Sequence, residues 1–533
     1  MKHGIRQLEA VPLTSAIGGQ ILSVLAIVLR PVSEIYGEFW ADILDITQRL
    51  ELHTPGDDIL FGVHASLRLL ALLRKLQMQE SNDDLLDAWA EKKGALAGRL
   101  LEMMTLFAGG IDYSLCPLGH LYLDADHMRT DTPDGSHQPR RIVNALLSRE
   151  LTSLSINAGA AADALYPVLA SESAALQETS YRLLHIHIPS AQEQISVDKA
   201  LAADYMPQLP QELLSLILTA PTMEFLAEAD FERTMPTTLR SYLFSWKLIF
   251  DHWQNASYKV QVDYVAALQE GNYVQDLLSF ALNTLISGRA KPINASKFDI
   301  QNYTPGQAEY PELETHWLLI HLYYLSLRHL PSVTKAWWRD TASRQLNITV
   351  ESWTEKHISP LIIASELSTI SDWAPSQAAA EQPMTIKVSH AARDITASIP
   401  IDEQTMTIAI HLPKSYPLAR AEVTSVHRVG VAEKKWNSWL INTQGVINFS
   451  SGGAGEGNAL IDGLLAWRKN VTAAMKGQAE CAICYSVVSA DRQLPSKKCQ
   501  TCKNTFHSSC LFRWFKSSNS SSCPLCRNAF HYS

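Results

Sequence analysis

Seven of the eight cysteines of this 533-residue chain fall within its last 53 residues, with one histidine among them, in the order C-x2-C-x14-C-x2-C-x4-H-x2-C-x12-C-x2-C. The members are Cys481, Cys484, Cys499, Cys502, His507, Cys510, Cys523 and Cys526. Eight thiolate and imidazole donors in four close pairs are what two tetrahedral zinc ions require, and two intervening residues let both members of a pair reach one ion from a tight turn. Pairing by adjacency would make two separate fingers, but the gap of four between Cys502 and His507 leaves little room to close one site before the next begins. An interleaved cross-brace removes the difficulty. Cys481, Cys484, His507 and Cys510 then hold the first zinc, and Cys499, Cys502, Cys523 and Cys526 the second. With every position filled by protein, both ions are structural and leave no place for an activated water. A segment of about 50 residues lacks the core to fold alone, so metal binding supplies much of its folding energy.

The spacing fits two kinds of cross-brace module, PHD fingers that read histone tails and RING domains that recruit ubiquitin-conjugating enzymes. Residues between the ligands separate them. PHD fingers usually place an aromatic two residues before the seventh ligand, where this chain has Ser521. RING domains place an aliphatic residue inside the first pair, a tryptophan in the central helix and a proline after the seventh ligand; Ile483, Trp514 and Pro524 stand there. Arg527 follows the eighth ligand, where many active RING domains carry a cation that touches both conjugating enzyme and ubiquitin. The alternative, that Ile483 and Trp514 are only core residues of the module, is outweighed by Pro524 and Arg527 coinciding with them. A RING domain has no nucleophile; it holds a charged conjugating enzyme so that its thioester is poised for attack by a lysine amine. The Arg527 guanidinium fork suits bridging of two carbonyl partners. Lys497, Lys498 and Arg513 read either as orienting groups for acidic partners or, more commonly, as solvated surface.

The rest of the chain must position this module. Its length implies roughly 3–4 domains. Apolar residues at 46% and charged residues at 19% describe a folded globular protein. The net charge of -9 divides into +5 for residues 479–533 and -14 for the remainder. Seven bound thiolates and two zinc ions would offset part of that +5, so the tail is not read as a nucleic-acid patch. The remaining cysteine, Cys116, reads as a small core residue; with no pairs left for disulfides, a reducing cytosolic or nuclear compartment fits best. Ile17–Leu29 is faintly like a signal sequence, but its uninterrupted apolar run, Val24–Leu29, is far short of the ~20 residues that span a membrane. It is expected to be a buried core helix.

From about residue 10 to 371 helix follows helix. Ile59–Leu76, Leu85–Phe107, Ile142–Leu154, Gln211–Ala220, Leu239–Trp253, Tyr258–Leu268, Tyr273–Ile286, Leu313–Leu330 and Ser352–Leu367 repeat apolar residues at three- and four-residue steps. Such a run suggests an all-α solenoid of the HEAT or armadillo kind over 1–371, with a compact irregular all-α domain as the alternative because no strict period is visible. His64, His185, His187 and His321 read as satisfied core or surface residues rather than ligands. Residues 372–383 read as a linker with proline and alanine. Thr385–Val388, Ile395–Ile399, Met406–Leu412 and Val423–Val429 then read as strands, and Trp436–Ile441 and Ala459–Met475 as helices, making a small α+β domain over 384–477. The Ser450–Gly457 run between them reads as a mobile loop; Gly452-Gly453-Ala454-Gly455 lacks the Lys-Ser/Thr of a phosphate-binding loop. The zinc module occupies 478–533.

At this point the residues resemble a known family. The stretch from Cys481 to Phe530 is similar to the RING domain of listerins, ubiquitin ligases of ribosome-associated quality control, in the LP-x-K-x-C approach to Cys499, the CKNTFHSSC run, Leu511–Phe515 and the SSN ahead of CPLCR. Residues 384–477 resemble the RWD domain that adjoins that RING, through Ile401-Asp402-Glu403-Gln404-x-Met406 and Leu412-Pro413-x-x-Tyr416-Pro417-Leu418. The helical body resembles the family's HEAT-like repeats, by architecture and by Ser359-Pro360-Leu361-Ile362. The resemblance implies a RING-type ubiquitin ligase with two structural zinc ions and a ubiquitin-charged conjugating enzyme as partner. It further implies stalled nascent chains on the large ribosomal subunit as substrates, other quality-control factors as partners, and a cytosolic, ribosome-associated place with no membrane. Listerins are much longer, and their N-terminal domain has no counterpart here. The chain is therefore expected to be a C-terminal portion, a divergent short form or an incomplete gene product, which puts recruitment to split subunits in doubt. A histone reader or scaffold without ligase activity, and a RING ligase with a non-ribosomal substrate, are the competing readings. Lys414, Arg420, Lys434 and Lys435 read either as contacts to ribosomal RNA or as an exposed helix face.

Overall fold

The computed structural model describes residues 15–31, 39–48, 59–78, 83–108, 138–154, 156, 158–202, 204–221, 235–287, 291–340, 344–378, 383–402, 404–449, 458–476 and 478–531. Cys116 and the 450–457 loop lie outside them. The chain forms two compact units, one of residues 1–195, 209–255 and 305–315, the other of 196–208, 256–304 and 316–533.

In the first unit, helices Ser15–Leu29 and Ile59–Gln77 pack together, as do Phe39–Gln48 with Asp83–Ala108 and Ile59–Gln77 with Gln138–Ser153. This pairing of each helix with the next but one is how a helical repeat shares its apolar faces. Ser15–Leu29 is two-faced, contrary to the expectation of a fully buried helix. Leu22, Leu25 and Leu29, at helical spacing, are buried, whereas Ile27 on the other side is 70% exposed. Helix Thr237–Asp251 is buried almost all round and encloses an ion pair between Lys247 and Asp251. Nδ1 of His185 lies 2.7 Å from the same Asp251 carboxylate. A buried charge survives only where it is paired and hydrogen-bonded in this way. Burial opposes ionisation of Asp251, but Lys247 and His185 outweigh it and hold the carboxyl below its ordinary value.

In the second unit, Tyr273–Leu282 packs on Pro331–Asp340, and Arg344–His357 on Ser359–Ala378. The single helix expected over Ser352–Leu367 is divided at Ile358. Pro360 is the reason: lacking an N–H, it fits the first turn of a new helix and not the interior of an old one. The 28-residue helix Ala174–Leu201, whose residues up to 195 belong to the first unit, has Pro189 inside it and is not among the expected segments. His321 is buried, with Nδ1 2.9 Å from the Ile300 carbonyl.

The expected linker over 372–383 is corrected in its first half. Helix Ser359–Ala378 runs through it despite Pro375, and residues 379–382 lie outside the described residues. Tertiary anchoring overrides the composition. The Gln377 side chain accepts from Arg468 at 2.6 Å, and its backbone carbonyl accepts from the Met384 N–H at 3.1 Å.

The sheet that follows is antiparallel in the order β1 (Thr385–Ser389), β2 (Asp394–Ile401), β3 (Gln404–His411) and β4 (Glu422–His427). Ile395, Ala397, Met406, Ile408 and Ile410 turn inward and are buried. Helices Glu433–Phe449 and Ala459–Met475 pack together, the first also against β4. They approach closely enough that a Cβ on Gly463 would come 2.4 Å from Ile447 Cγ1. Asn448 clamps the connection before β4, accepting from the Ala421 N–H at 2.9 Å and donating to its carbonyl at 3.0 Å. Asn458 caps the second helix by accepting from Leu460 and Ile461 N–H groups, and donates to Glu366 at 2.7 Å. Among the described residues, no helix is long and apolar enough to cross a membrane.

Candidate metal centre

The last module is built from three similar turns. In each, a cysteine N–H bonds to the carbonyl five residues on: Cys481 to Ser486 at 3.0 Å, Cys499 to Asn504 at 2.9 Å and Cys523 to Asn528 at 2.8 Å. In each, the residue after the second cysteine donates back to the first: Tyr485 to Cys481, Lys503 to Cys499 and Arg527 to Cys523. Closing so tight a turn places Tyr485, Lys503 and Arg527 at φ 57°, 63° and 56°. Non-glycine residues seldom hold that conformation, and the ligand pair that precedes each of them, with the hydrogen bond back to the first cysteine, is what over-determines it. The fourth pair belongs to helix Ser508–Ser518, with His507 at its N-cap and Cys510 in its first turn. Asn519, at φ 48°, ends that helix in the left-handed conformation asparagine tolerates.

These elements gather the donors into two groups, Cys481, Cys484, His507 and Cys510, and Cys499, Cys502, Cys523 and Cys526, each with its ligand atoms within 4.8 Å of one another. Zinc–sulfur bonds of about 2.3 Å at tetrahedral angles put sulfurs roughly 3.8 Å apart and sulfur and nitrogen roughly 3.6 Å apart. Cys499–Cys526 and Cys502–Cys523 are both 3.7 Å apart. His507 Nδ1 is 3.4 Å from Cys484 and 3.8 Å from Cys510. The residues therefore fit two tetrahedral zinc ions, one held by three cysteines and His507, the other by four cysteines. His507 Nε2 lies 3.2 Å from the Val487 carbonyl, which accepts its proton and leaves Nδ1 for a metal.

The thiols are tuned by the same backbone. N–H groups of Cys502 and Thr501 aimed at Cys499 pull it down to about 6, while burial pushes Cys523 up to about 12. Burial opposes ionisation of Cys481, but N–H groups of His507, Cys484 and Ile483 lower it on balance. Burial and the neighbouring thiols push Cys510 up to about 12.

Ile483 is half-buried on the turn of the first pair and packs against the module's core. Trp514 is half-buried, its indole N–H donating to the Ser522 carbonyl at 3.1 Å, and Pro524 lies on the turn that follows Ser522. Arg527 is exposed at the end of that turn. Sequence reasoning passed over Leu525, 49% exposed between Pro524 and Cys526, whose signal was an apolar residue in a turn with no room inside it. Tyr485 and Phe512, 76% and 67% exposed, were also missed. Lys414, Arg420, Lys434 and Lys435 are not buried, and Lys435 sits 5.7 Å over the Trp439 ring. Neither group of donors includes His64, His185, His187 or His321.

Comparison with known proteins divides the chain in the same order. Residues 155–371 match the LTN1 family HEAT repeat region, 384–474 a ubiquitin conjugating domain-like family, and 479–527 the Ring finger domain. The last match decides for a RING and against a PHD finger. The conjugating domain-like segment contains no cysteine, and so lacks the thiol that a conjugating enzyme charges. The chain is 34% identical over 509 residues to the E3 ubiquitin-protein ligase listerin of Neurospora crassa, spanning 92% of this chain and 30% of that protein. The listerin of Schizosaccharomyces pombe is 35% identical over 336 residues, covering 62% of this chain and 20% of its own length. That of Saccharomyces cerevisiae is 33% identical over 320 residues, covering 58% and 20%. The chain thus spans less than a third of the length of these relatives.

Proposed function

The chain belongs to the listerin family, in which it matches the C-terminal HEAT, RWD-like and RING portion, and on that premise we propose that it is a RING-type ubiquitin ligase. The observation that supports this reading is a RING whose ligand turns carry Ile483, Pro524 and the half-exposed Leu525, with Trp514 hydrogen-bonded to Ser522 and Arg527 exposed. The apolar group would dock the conjugating enzyme, and Arg527 would bridge enzyme and ubiquitin. Zinc, when bound, supplies structure and no reactive position, since four protein donors surround each site. A lysine amine of the substrate attacks the thioester carbonyl, the carbon–sulfur bond breaks, the conjugating enzyme's thiolate leaves and the amine proton passes to solvent. The RING contributes by restraining the thioester in one conformation, converting a loose encounter into an oriented one.

The substrates proposed are those of the family: lysines of stalled nascent chains on the large ribosomal subunit, met in the cytosol together with other quality-control factors. The helical body and the RWD-like domain would place the RING there. The test is ubiquitin transfer by the full chain, with a charged conjugating enzyme, on large-subunit–nascent-chain complexes. Zinc-dependent transfer that Trp514→Ala abolishes supports the ligase reading; equal transfer by the variant overturns it. Co-sedimentation with large subunits supports the ribosomal substrate, whereas ligase activity with no preference for those complexes favours an unrelated one. Histone-tail binding without ubiquitin discharge would return the reading to a chromatin module.

A further inference from the structure

The loop between the first and second ligand pairs is held from outside the RING. Asp402 occupies the two-residue turn between Ile401 of β2 and Gln404 of β3, at φ 52°, a conformation aspartate tolerates better than most residues. Its Oδ2 accepts two backbone hydrogen bonds from the RING loop, from Val487 N–H at 2.7 Å and Val488 N–H at 3.0 Å. Further along, Gly430 donates its N–H to the Arg492 carbonyl at 2.9 Å. Gly430 stands at φ 67°, and a Cβ there would meet Leu494 at 3.1 Å. The sheet domain thus grips the loop at two points, near its start and at its middle.

One peptide group links this grip to a metal ligand. The N–H of Val488 and the carbonyl of Val487 belong to the same peptide unit. The N–H faces the Asp402 carboxylate, and the carbonyl faces His507 Nε2 at 3.2 Å. A carboxylate on the N–H side polarises the unit and strengthens its carbonyl as an acceptor. That acceptor fixes the Nε2–H tautomer and the ring orientation, aiming Nδ1 between Cys484 and Cys510. The arrangement is a carboxylate–histidine–metal relay with a peptide group inserted and its carboxylate supplied by another domain.

We propose that Asp402 of the RWD-like domain is a positioning residue for the histidine-containing metal site of the RING, acting through the Val487–Val488 peptide on His507. This rests on the metal assignment and is independent of ligase activity. It makes the sheet domain part of the metal site's outer support, so the RING is braced as well as tethered.

The test uses the full chain loaded with cobalt(II), whose absorption distinguishes coordination by three thiolates and an imidazole from coordination by four thiolates. Asp402→Gly keeps the turn, because glycine accepts positive φ, and removes only the carboxylate. Cobalt release from the histidine-containing site to a chelator should quicken by about ten-fold or more. The four-cysteine site should keep its wild-type rate. Asp402→Asn, whose amide oxygen accepts the same two bonds, should restore most of the retention. Unchanged release in Asp402→Gly, or equal acceleration at both sites, overturns the brace while leaving two metal sites in place. A wild-type chain that binds fewer than two cobalt ions overturns the metal assignment and the brace together.

Discussion

Trp436 and Trp467 meet edge to face in the interior of the sheet domain, both almost wholly buried, as are Met406, Ile408, Ile410 and Leu464 of the same domain. In the RING the buried core is Cys481, Cys499, Phe506, Leu511, Cys523 and Phe530, so half of it consists of metal ligands. Phe506 and Phe515 both lie edge-on to Phe530, and Leu511 is the one other non-cysteine residue buried in that cluster. At the same time Tyr485, Phe512 and Leu525 stand in solvent. Of its many large apolar residues the sheet domain leaves Val426 and Ile441 exposed and keeps most in its own interior. The RING is free to expose some of them because its fold is closed by coordination. Metal binding is thus what lets so small a module offer an apolar surface to a partner.

The sharpest way to break this comparison is to remove the metal. Exhaustive chelation should collapse residues 479–531, seen as loss of hydrogen-exchange protection there. Ubiquitin discharge should fall to background, while 383–476 keeps its protection. Protection of the RING that survives chelation would show that its aromatic core suffices. The converse is to empty the other interior. Trp467→Ala should destabilise the sheet domain by about 3–5 kcal/mol. Zinc analysis should still find two ions per chain; loss of both would mean that the two regions fold as one unit. A third change sharpens the comparison at the RING's surface. Arg527 is exposed at φ 56°, so its fold contribution is small and its proposed role is on the partner side. Arg527→Gly keeps the turn and deletes the fork. We expect about a ten-fold drop in ubiquitin discharge, with stability and metal content unchanged. Equal activity would shift the weight of the site to Trp514 and Leu525.

What the sequence discloses follows the same division. Coordination fixes ligand identity and spacing, so both donor groups, from Cys481 to Cys526, are legible in the spacing alone. Alternation makes β1 to β4 legible for the same kind of reason, since inward Ile395, Ala397, Met406, Ile408 and Ile410 recur at every second residue within their strands. The helix end at 372–378 is not legible. Its composition says linker, and the contacts that anchor Gln377, from Arg468 and the Met384 N–H, come from residues outside the helix. Asp402 is visible in the sequence, but its grip on Val487 and Val488 leaves no trace in residue types, because the partners are backbone amides. Contacts between a side chain and a distant main chain are the class of interaction a sequence hides best.

The smallest effect tests the seam where the helical region meets the sheet domain, which has neither a metal nor a tryptophan pair. Lys335, on helix Pro331–Asp340, is only 9% exposed and lies 6.0 Å from the centroid of the Tyr416 ring. Burial, then the charges of Arg420 and Arg339, lower it from its ordinary 10.5 to about 8. In the unfolded chain the lysine keeps its proton up to about 10.5, so between 8 and 10.5 the unfolded state binds more protons and stability rises with pH. Below 8 both states are protonated and the full cost of burying the charge is present. Lys335→Met removes the charge and retains the length of the stem. The shift corresponds to roughly 3 kcal/mol, from which the lost ring contact and imperfect packing subtract, leaving a net gain of about 1 kcal/mol at pH 7. Urea denaturation at about pH 7 and about pH 9.5 measures it, and the advantage of the variant should shrink at the higher pH. A variant less stable than wild type at both would mean that Lys335 holds the seam through its ammonium group, and that this region, like the RING, depends on a specific polar contact and not on burial alone.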